Sequence, residues 1–234
     1  MNQPLYIAIA NELRRRINQG TYTIGQKLPT ETQLAEYFQV NRHTIRKAVA
    51  LLKREGLLRV GQGRGTFVAG SPISYPLTQT IDGAEALENE GRKISFNLLQ
   101  AIAITANLAV IENLGLSLEE PVALIEYLTL ADNQPISVSN SYFSLRRFPD
   151  ILQHCYKNPS ISLLLQQVYS CERLNKKTQI STIRVKPQDA RLLELPLTDP
   201  ILVTKSVKVD HQHSVIEYQI TRWRGDLVEL VLCY

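Results

Sequence analysis

The stretch over residues 27–68, KLPTETQLAEYFQVNRHTIRKAVALLKREGLLRVGQGRGTFV, constrains this chain more than any other. Its apolar residues follow a helical period, break at a short turn, resume that period, and then give way to a glycine-interrupted strand pattern. Two short helices followed by a hairpin satisfy that order. Leu28-Pro29-Thr30-Glu31 reads as a helix start, with Thr30 as cap and Glu31 complementing the positive end of the helix. Leu34, Ala35 and Phe38 share its inner face. Gln39-Val40-Asn41 is a turn, with Val40 inward and Asn41 placed to cap the next helix.

The second helix is predicted over 42–55, with Ile45, Ala48, Val49 and Leu52 as its buried stripe. Arg42, His43, Thr44, Arg46 and Lys47 crowd its first turns, mostly on the other face. A charged face alone would read as solvated surface. The turn before it and the hairpin after it favour a helix-turn-helix, whose second helix enters the major groove by its N-terminal residues. There an arginine pairs bidentately with guanine and a threonine methyl meets a thymine methyl. Gly56 ends the helix. Strands at 57–60 and 66–68 flank Gly61-Gln62-Gly63-Arg64-Gly65. No Gly-Lys-Ser/Thr closes that loop, and a strand rather than a helix comes after it, so neither phosphate-loop pattern fits. A wing fits better, with Gly63 and Arg64 at a tip that approaches the sugar-phosphate backbone or the minor groove. The expected DNA-facing set is Thr30, Glu31, Arg42, His43, Thr44, Arg46, Lys47, Gly63 and Arg64.

Leu28-Pro29-Thr30-Glu31, Leu34-Ala35, Val40-Asn41-Arg42 with Thr44-Ile45-Arg46, Glu55-Gly56-Leu57, and Gly63-Arg64-Gly65-Thr66-Phe67-Val68 resemble the winged helix-turn-helix of the GntR family of bacterial transcription regulators. Asn41 stands where that family usually has serine, and it keeps the capping chemistry. The resemblance implies double-stranded operator DNA as a partner.

Charge divides the 234-residue chain: residues 1–70 hold 11 Lys/Arg against 4 Asp/Glu, the rest 15 against 18. A basic head on a mildly acidic body suits DNA binding through the head alone. The expected domains are a DNA-binding domain at 1–70, a linker at 71–76 whose prolines break any regular element, and a second domain at 77–234. Leu5, Ile9, Leu13 and Ile17 are expected as the core face of a first helix over 5–19. Arg14-Arg15-Arg16 beside them reads as solvated charge or as a phosphate contact. Cys155, Cys171 and Cys233 are odd in number and far apart, which suggests inert thiols rather than a disulfide framework. No signal segment or apolar run of spanning length is present, so a soluble cytoplasmic protein with no membrane partner is expected.

Beyond the linker, helices are predicted at 82–89, 107–114, 148–156, 160–169 and 187–193. Strands are predicted at 94–104, 122–130, 136–144, 174–185, 201–209, 215–223 and 227–232, the last closing the sheet. The fold class is α+β, with a mainly antiparallel sheet and helices on its face. No nucleophile elbow or zinc-protease motif occurs, so no catalytic residue, cofactor or enzyme activity is expected. Asp210, His211 and His213 read as a surface turn in preference to a metal site.

The order of these elements resembles the UTRA domain of the HutC branch of the GntR family, over about residues 77–234. Leu130-Ala131-Asp132 with Gln134-Pro135-Ile136, Asp199-Pro200-Ile201-Leu202 and Val215-Ile216-Glu217-Tyr218 carry that resemblance. It implies a chorismate-lyase-like fold used as a sensor, in which a small metabolite controls release of DNA. Ser160 matches a serine that binds phosphate in such sensors, and Glu217 an acidic residue that binds the ligand's polar groups. The Arg-x-Arg on the first hairpin strand, which clamps phosphate, is Tyr127-Leu128-Thr129 here. The loop before the first helix has Asp82-Gly83-Ala84 in place of serine and threonine. Arg146, Arg184 and Arg222 are the alternative anion binders. Ser141 to Pro149, Ile180-Ser181 with Arg184, and Tyr218 with Thr221-Arg222-Trp223 resemble the regulators of phosphonate metabolism in this branch. The resemblance thus implies a small anionic effector, a phosphonate or related oxyanion, and the expected protein is a repressor acting as a homodimer, since one recognition helix reads too few base pairs. A sensor of a sugar phosphate or organic acid is the alternative, and a chorismate-lyase-like enzyme with a DNA-binding head the more distant one.

Overall fold

The structure, a computed structural model, describes residues 4–22, 25–61, 65–69, 72–78, 86–88, 91–158 and 160–232. The chain divides into two compact units, Met1–Ile73 and Ser74–Tyr234.

The first unit holds α1 (Leu5–Asn18), α2 (Glu31–Phe38), α3 (Arg42–Arg54), β1 (Leu58–Gly61) and β2 (Gly65–Val68). Its core gathers Ile9, Ala10 and Leu13 from α1, Leu34 and Ala35 from α2, and Ile45, Ala48, Val49 and Leu52 from α3. Leu5, expected in this core, is 58% exposed; in that first turn it is Tyr6 that packs against the apolar cluster. Thr30 and Gln33 form a reciprocal capping box on α2. Gln39 turns the chain in the left-handed region at φ 52°. Asn41 Oδ1 then accepts from the Thr44 amide at 2.8 Å and starts α3. Gly56 leaves α3 at φ 74°, a C′ position that favours glycine. β1 and β2 pair antiparallel from Leu58 opposite Val68 to Gly61 opposite Gly65. Residues 25–28 run alongside β2, with the Leu28 amide donating to the Thr66 carbonyl at 2.7 Å.

The second unit is built on a six-stranded antiparallel sheet in the order β4-β5-β6-β9-β8-β7. Its strands are β4 (Ile94–Thr105), β5 (Pro121–Ala131), β6 (Gln134–Ser144), β7 (Leu174–Arg184), β8 (Pro200–Val209) and β9 (Val215–Trp223). Asp132 and Asn133 turn the β5–β6 hairpin with φ of 51° and 63°, which short polar side chains tolerate. One face carries α5 (Ile151–Cys155) and α6 (Ile161–Tyr169), packed on Ala123, Ile125, Tyr127 and Phe143. The other carries α4 (Leu108–Leu114), packed on Val122, Val207 and Tyr218, and α7 (Pro187–Leu192), whose Ala190 packs on Ile201 and Val203. This is the expected α+β fold, legible because the strands alternate two inner faces.

Three local expectations are corrected. Residues within the expected linker form β3 (Ile73–Pro76), which pairs with β10 (Val228–Val231). Pro72 precedes the strand and Pro76 ends it, so neither proline removes an interior ladder bond. For the same reason the last strand does not close the main sheet: β10 is taken up by β3. The helix expected from 148 begins only at Ile151, since Pro149 disfavours helical geometry at Phe148. Of the helix expected at 82–89, residues 86–88 are helical and the remainder lies outside the described residues. Cys155 is buried and Cys171 partly buried, both as free thiols, and Cys233 lies outside the described residues.

Candidate functional site

Each unit holds a candidate site. In the first, the buried stripe of α3 turns the opposite face outward, so Arg42, His43, Arg46 and Lys47 are exposed at its N-terminal end. Thr44 is half-buried, its hydroxyl donating to Asn41 Oδ1 at 2.9 Å. Glu31, in the first turn of α2, accepts from Arg46 Nε at 2.7 Å and lies 3.9 Å from Arg42 Nη2. One carboxylate thus braces two arginines of the helix that would face the groove. Thr30 is engaged as the cap of α2. Gly63 and Arg64, the expected wing tip, lie outside the described residues. The strands that carry them are in place, and Arg59 lies over the Phe67 ring at 5.1 Å. Arg14 pairs with Glu55 at 2.6 Å, tying α1 to the end of α3, while Arg15 and Arg16 both pair with Glu12. Those two guanidinium groups, Arg15 first, hold the Glu12 carboxyl at about 2.

In the second unit a pocket opens on the face of the sheet that carries α5 and α6. It encloses about 630 Å³ of empty space, part of it open to solvent. Strand register explains its lining. Ser137, Ser139 and Ser141 of β6 stand opposite Trp223, Thr221 and Gln219 of β9, so all six face the same way. Across β5, Tyr127 stands opposite Ser139 and Thr129 opposite Ser137. Ser160 and Ile161 at the start of α6, Phe96, Leu87, Arg173, Lys208 and Tyr75 of β3 complete the wall. Tyr75 packs on Trp223 with ring centroids 4.4 Å apart, and the indole N–H donates to Thr204 Oγ1 at 3.0 Å.

Beneath this lining lies Glu217, with no exposed side-chain surface. Arg173 donates to it at 3.0 Å and Lys208 Nζ lies 3.5 Å away. Burial pushes the Glu217 carboxyl up, but the charges of Lys208 and Arg173 outweigh it and hold the group below its ordinary value. Burial pushes the Tyr127 phenol up, so it is a neutral hydroxyl at any ordinary pH. The described residues lining the pocket include no histidine and no carboxylate; Glu217 behind them accepts from Ser141 and is engaged by Arg173 and Lys208. The arrangement can bind a polar ligand.

The structure brings Tyr127, Thr129 and Ser160 together in this pocket, with Glu217 directly behind. Ser160 also caps α6, accepting from the Leu163 amide at 3.4 Å. Three expected anion binders lie elsewhere. Arg146 is exposed in the turn after β6, and Arg184 is exposed at the end of β7. Arg222 faces the opposite side of the sheet, in contact with Glu126 at 3.1 Å and Asp189 at 2.8 Å. Strand alternation decides this, because Arg222 falls between the pocket-facing Thr221 and Trp223. Arg173, Lys208, Tyr75 and Trp223 were not in the expected set. The serines at 137, 139 and 141 carried a readable signal: small polar residues at every second position of a strand mark a polar patch on one face. Asp210, His211 and His213 occupy the β8–β9 turn, where Asp210 pairs with Arg147 and His211 with Glu172.

Comparison with known proteins agrees with both units. Residues 5–68 match the family described as bacterial regulatory proteins, gntR family, and residues 89–229 match the UTRA domain. The chain is 29% identical over 231 residues to the HTH-type transcriptional regulator RB1450 of Rhizobium meliloti (strain 1021), covering 98% of this chain and 95% of that protein. It is 28% identical to the probable transcriptional regulator PhnF of Escherichia coli (strain K12), covering 97% and 94%. The crystal structure of PhnF from Mycobacterium smegmatis superposes with a TM-score of 0.67 at 24% identity, covering 96% of this chain and 98% of that one. These families and relatives are regulators of transcription, not enzymes. A DNA-binding head with an exposed basic recognition helix, joined to a UTRA sheet with a polar pocket, makes this chain a transcriptional regulator of the GntR family, of the type that carries a UTRA domain.

Proposed function

We propose that the protein is a homodimeric repressor of the cytoplasm that leaves its operator when a small anionic metabolite, a phosphonate or related oxyanion, fills the pocket of the second unit. The observation that carries this reading is the pairing of two separate sites on one chain. One is an exposed Arg42–Lys47 face braced by Glu31; the other is a built polar pocket holding Ser160, Tyr127 and Thr129. Arg42, His43, Thr44, Arg46 and Lys47 contact bases and phosphates, with Thr30 and Glu31 at the groove edge. Gly63 and Arg64 track the backbone as the wing tip. Two-fold operators match two-fold proteins, since one recognition helix reads few base pairs. The second unit supplies the dimer contact: β7 is an edge strand with Ile180 44% and Ile183 39% exposed.

The resemblance of Ser141 to Pro149 to phosphonate regulators supports the phosphonate class. A specific observation favours a second reading. The hydroxyls of Thr129, Ser137, Ser139, Ser141 and Thr221 line one wall, which suits a polyhydroxylated ligand such as a sugar phosphate or sugar acid. Operator binding by the purified protein tests both, using DNA from upstream of its own gene at fixed salt. Methylphosphonate, inorganic phosphate and sugar phosphates are titrated in. A shift in DNA affinity with one class selects that class. DNA binding indifferent to all of them leaves the second unit as a dimerisation module, and absence of DNA binding at low salt removes the recognition-helix reading.

A further inference from the structure

The sensor reading leaves its anion without a cation at the expected places. Arg146 and Arg184 are exposed away from the pocket, Arg222 faces the far side of the sheet, and Tyr127 and Thr129 bring only uncharged groups. We infer that Arg173 and Lys208, set in place by the buried Glu217, are the oxyanion-binding pair of this pocket. They act from the wall opposite β5, and the inference rests on the sensor reading.

Geometry supports it in four ways. Arg173 and Lys208 are the charged side chains among the described residues that line the pocket. Both are close to fully buried, at 10% and 12% side-chain exposure, so each was taken from water at a cost that a surface ion pair does not carry. Both converge on one carboxylate, Glu217, which is held ionised by their charges. Each is also fixed by a second partner: Arg173 donates to Ser162 Oγ in the first turn of α6, and Lys208 donates to Gln219 Oε1 at 3.0 Å. Two cations aimed by a carboxylate behind them, in a partly enclosed cavity, form a pre-organised receptor for a planar or tetrahedral oxyanion. Ser160 adds a hydroxyl at the start of α6, the same helix that holds Arg173 through Ser162. Glu217 therefore acts as a positioning residue in this chain: its carboxylate, which also accepts from Ser141, holds the two cations.

The chain's one tryptophan, Trp223, lines the pocket and provides the readout. The full-length protein is titrated with methylphosphonate, inorganic phosphate and acetate at constant ionic strength, with glycerol as the uncharged control, while Trp223 emission is monitored. A saturable change with at least one oxyanion and none with glycerol is expected. Arg173→Met and Lys208→Met are each expected to weaken that affinity about tenfold or more, as loss of a charge-assisted hydrogen bond implies. Arg173→Lys keeps the charge and is expected to recover part of it. Arg191→Met, on the far side of the sheet, is expected to leave it unchanged. Circular dichroism and thermal melts confirm that each variant is folded; if Arg173→Met does not fold, Lys208→Met and Arg173→Lys decide. No response to any oxyanion, an equal response to glycerol, or wild-type affinity in the folded cation variants overturns the inference. An operator that responds to an uncharged metabolite equally in wild type and Lys208→Met keeps the sensor reading and removes this one. Oxyanion binding lost in the variants but without effect on the operator does the reverse.

Discussion

Glu31 sits where a single carboxylate decides how two arginines are presented. Its contacts with Arg46 at 2.7 Å and Arg42 at 3.9 Å are largely solvent-exposed, so they add little to stability. Their effect lies in orientation. Replacing Arg42 with alanine is expected to weaken operator binding by about 1–3 kcal/mol if its contact is bidentate to a base. Glu31→Gln is expected to act differently. Removing a negative charge strengthens non-specific DNA binding, while losing the brace weakens specific binding. The ratio of operator to random-DNA affinity, measured at one salt concentration, therefore falls; an unchanged ratio would sink the bracing role. Glu217 has a pH signature. Its carboxyl is held below the ordinary 4.5. A depressed carboxylate contributes stability that is complete above its ordinary value and is lost as pH falls through the lowered one. Melting temperature is thus expected to drop on acidification below about 4.5, with a shallower slope in Glu217→Gln. Equal slopes would mean that other carboxylates govern acid unfolding.

Helix boundaries in this chain are set by single side chains. Asn41 closes the turn between α2 and α3 by accepting from the Thr44 amide and hydroxyl. Asn41→Ala is expected to destabilise the DNA-binding unit by about 1 kcal/mol. Asn41→Ser should restore most of that, and chemical denaturation of the intact protein reads both. The caps Thr30 and Asn41 were legible because their chemistry is local, a short polar side chain before an apolar periodic run, whereas the cap Asn107 was counted within its helix. The start of α5 was less so, because the apolar pattern continues through Phe148 while Pro149 forbids a helix there. The pairing of β3 with β10 could not be read, since it joins segments more than one hundred and fifty residues apart, such as Ser74 and Glu229. Strand patterns name faces but not partners.

At the scale of the whole molecule the second unit leaves β7 as a long edge strand, with Thr178, Ile180 and Thr182 on one face and Ser181 and Ile183 on the other. Exposed edges with apolar residues are ready pairing surfaces. If this edge joins two copies, Ile180→Asp with Ile183→Asp is expected to yield a monomer by light scattering and to lower operator affinity steeply, because two half-sites are no longer held together. A double variant that stays dimeric would move the interface to another surface. The sequence by itself determined what is local and repetitive: the two-helix-and-hairpin head with its basic outer face, the caps of its two helices, and the antiparallel strands. Only the tertiary structure decided which side chains share a cavity. Strand alternation turned Arg222 away and six-strand register gathered three serines, Thr221 and Gln219 into one wall. Packing of the segment before β7 brought Arg173 onto Glu217, 44 residues distant in the chain. Such pairings depend on strand order and long-range register, which apolar periodicity leaves open, whereas caps and turns depend only on neighbours a few residues apart.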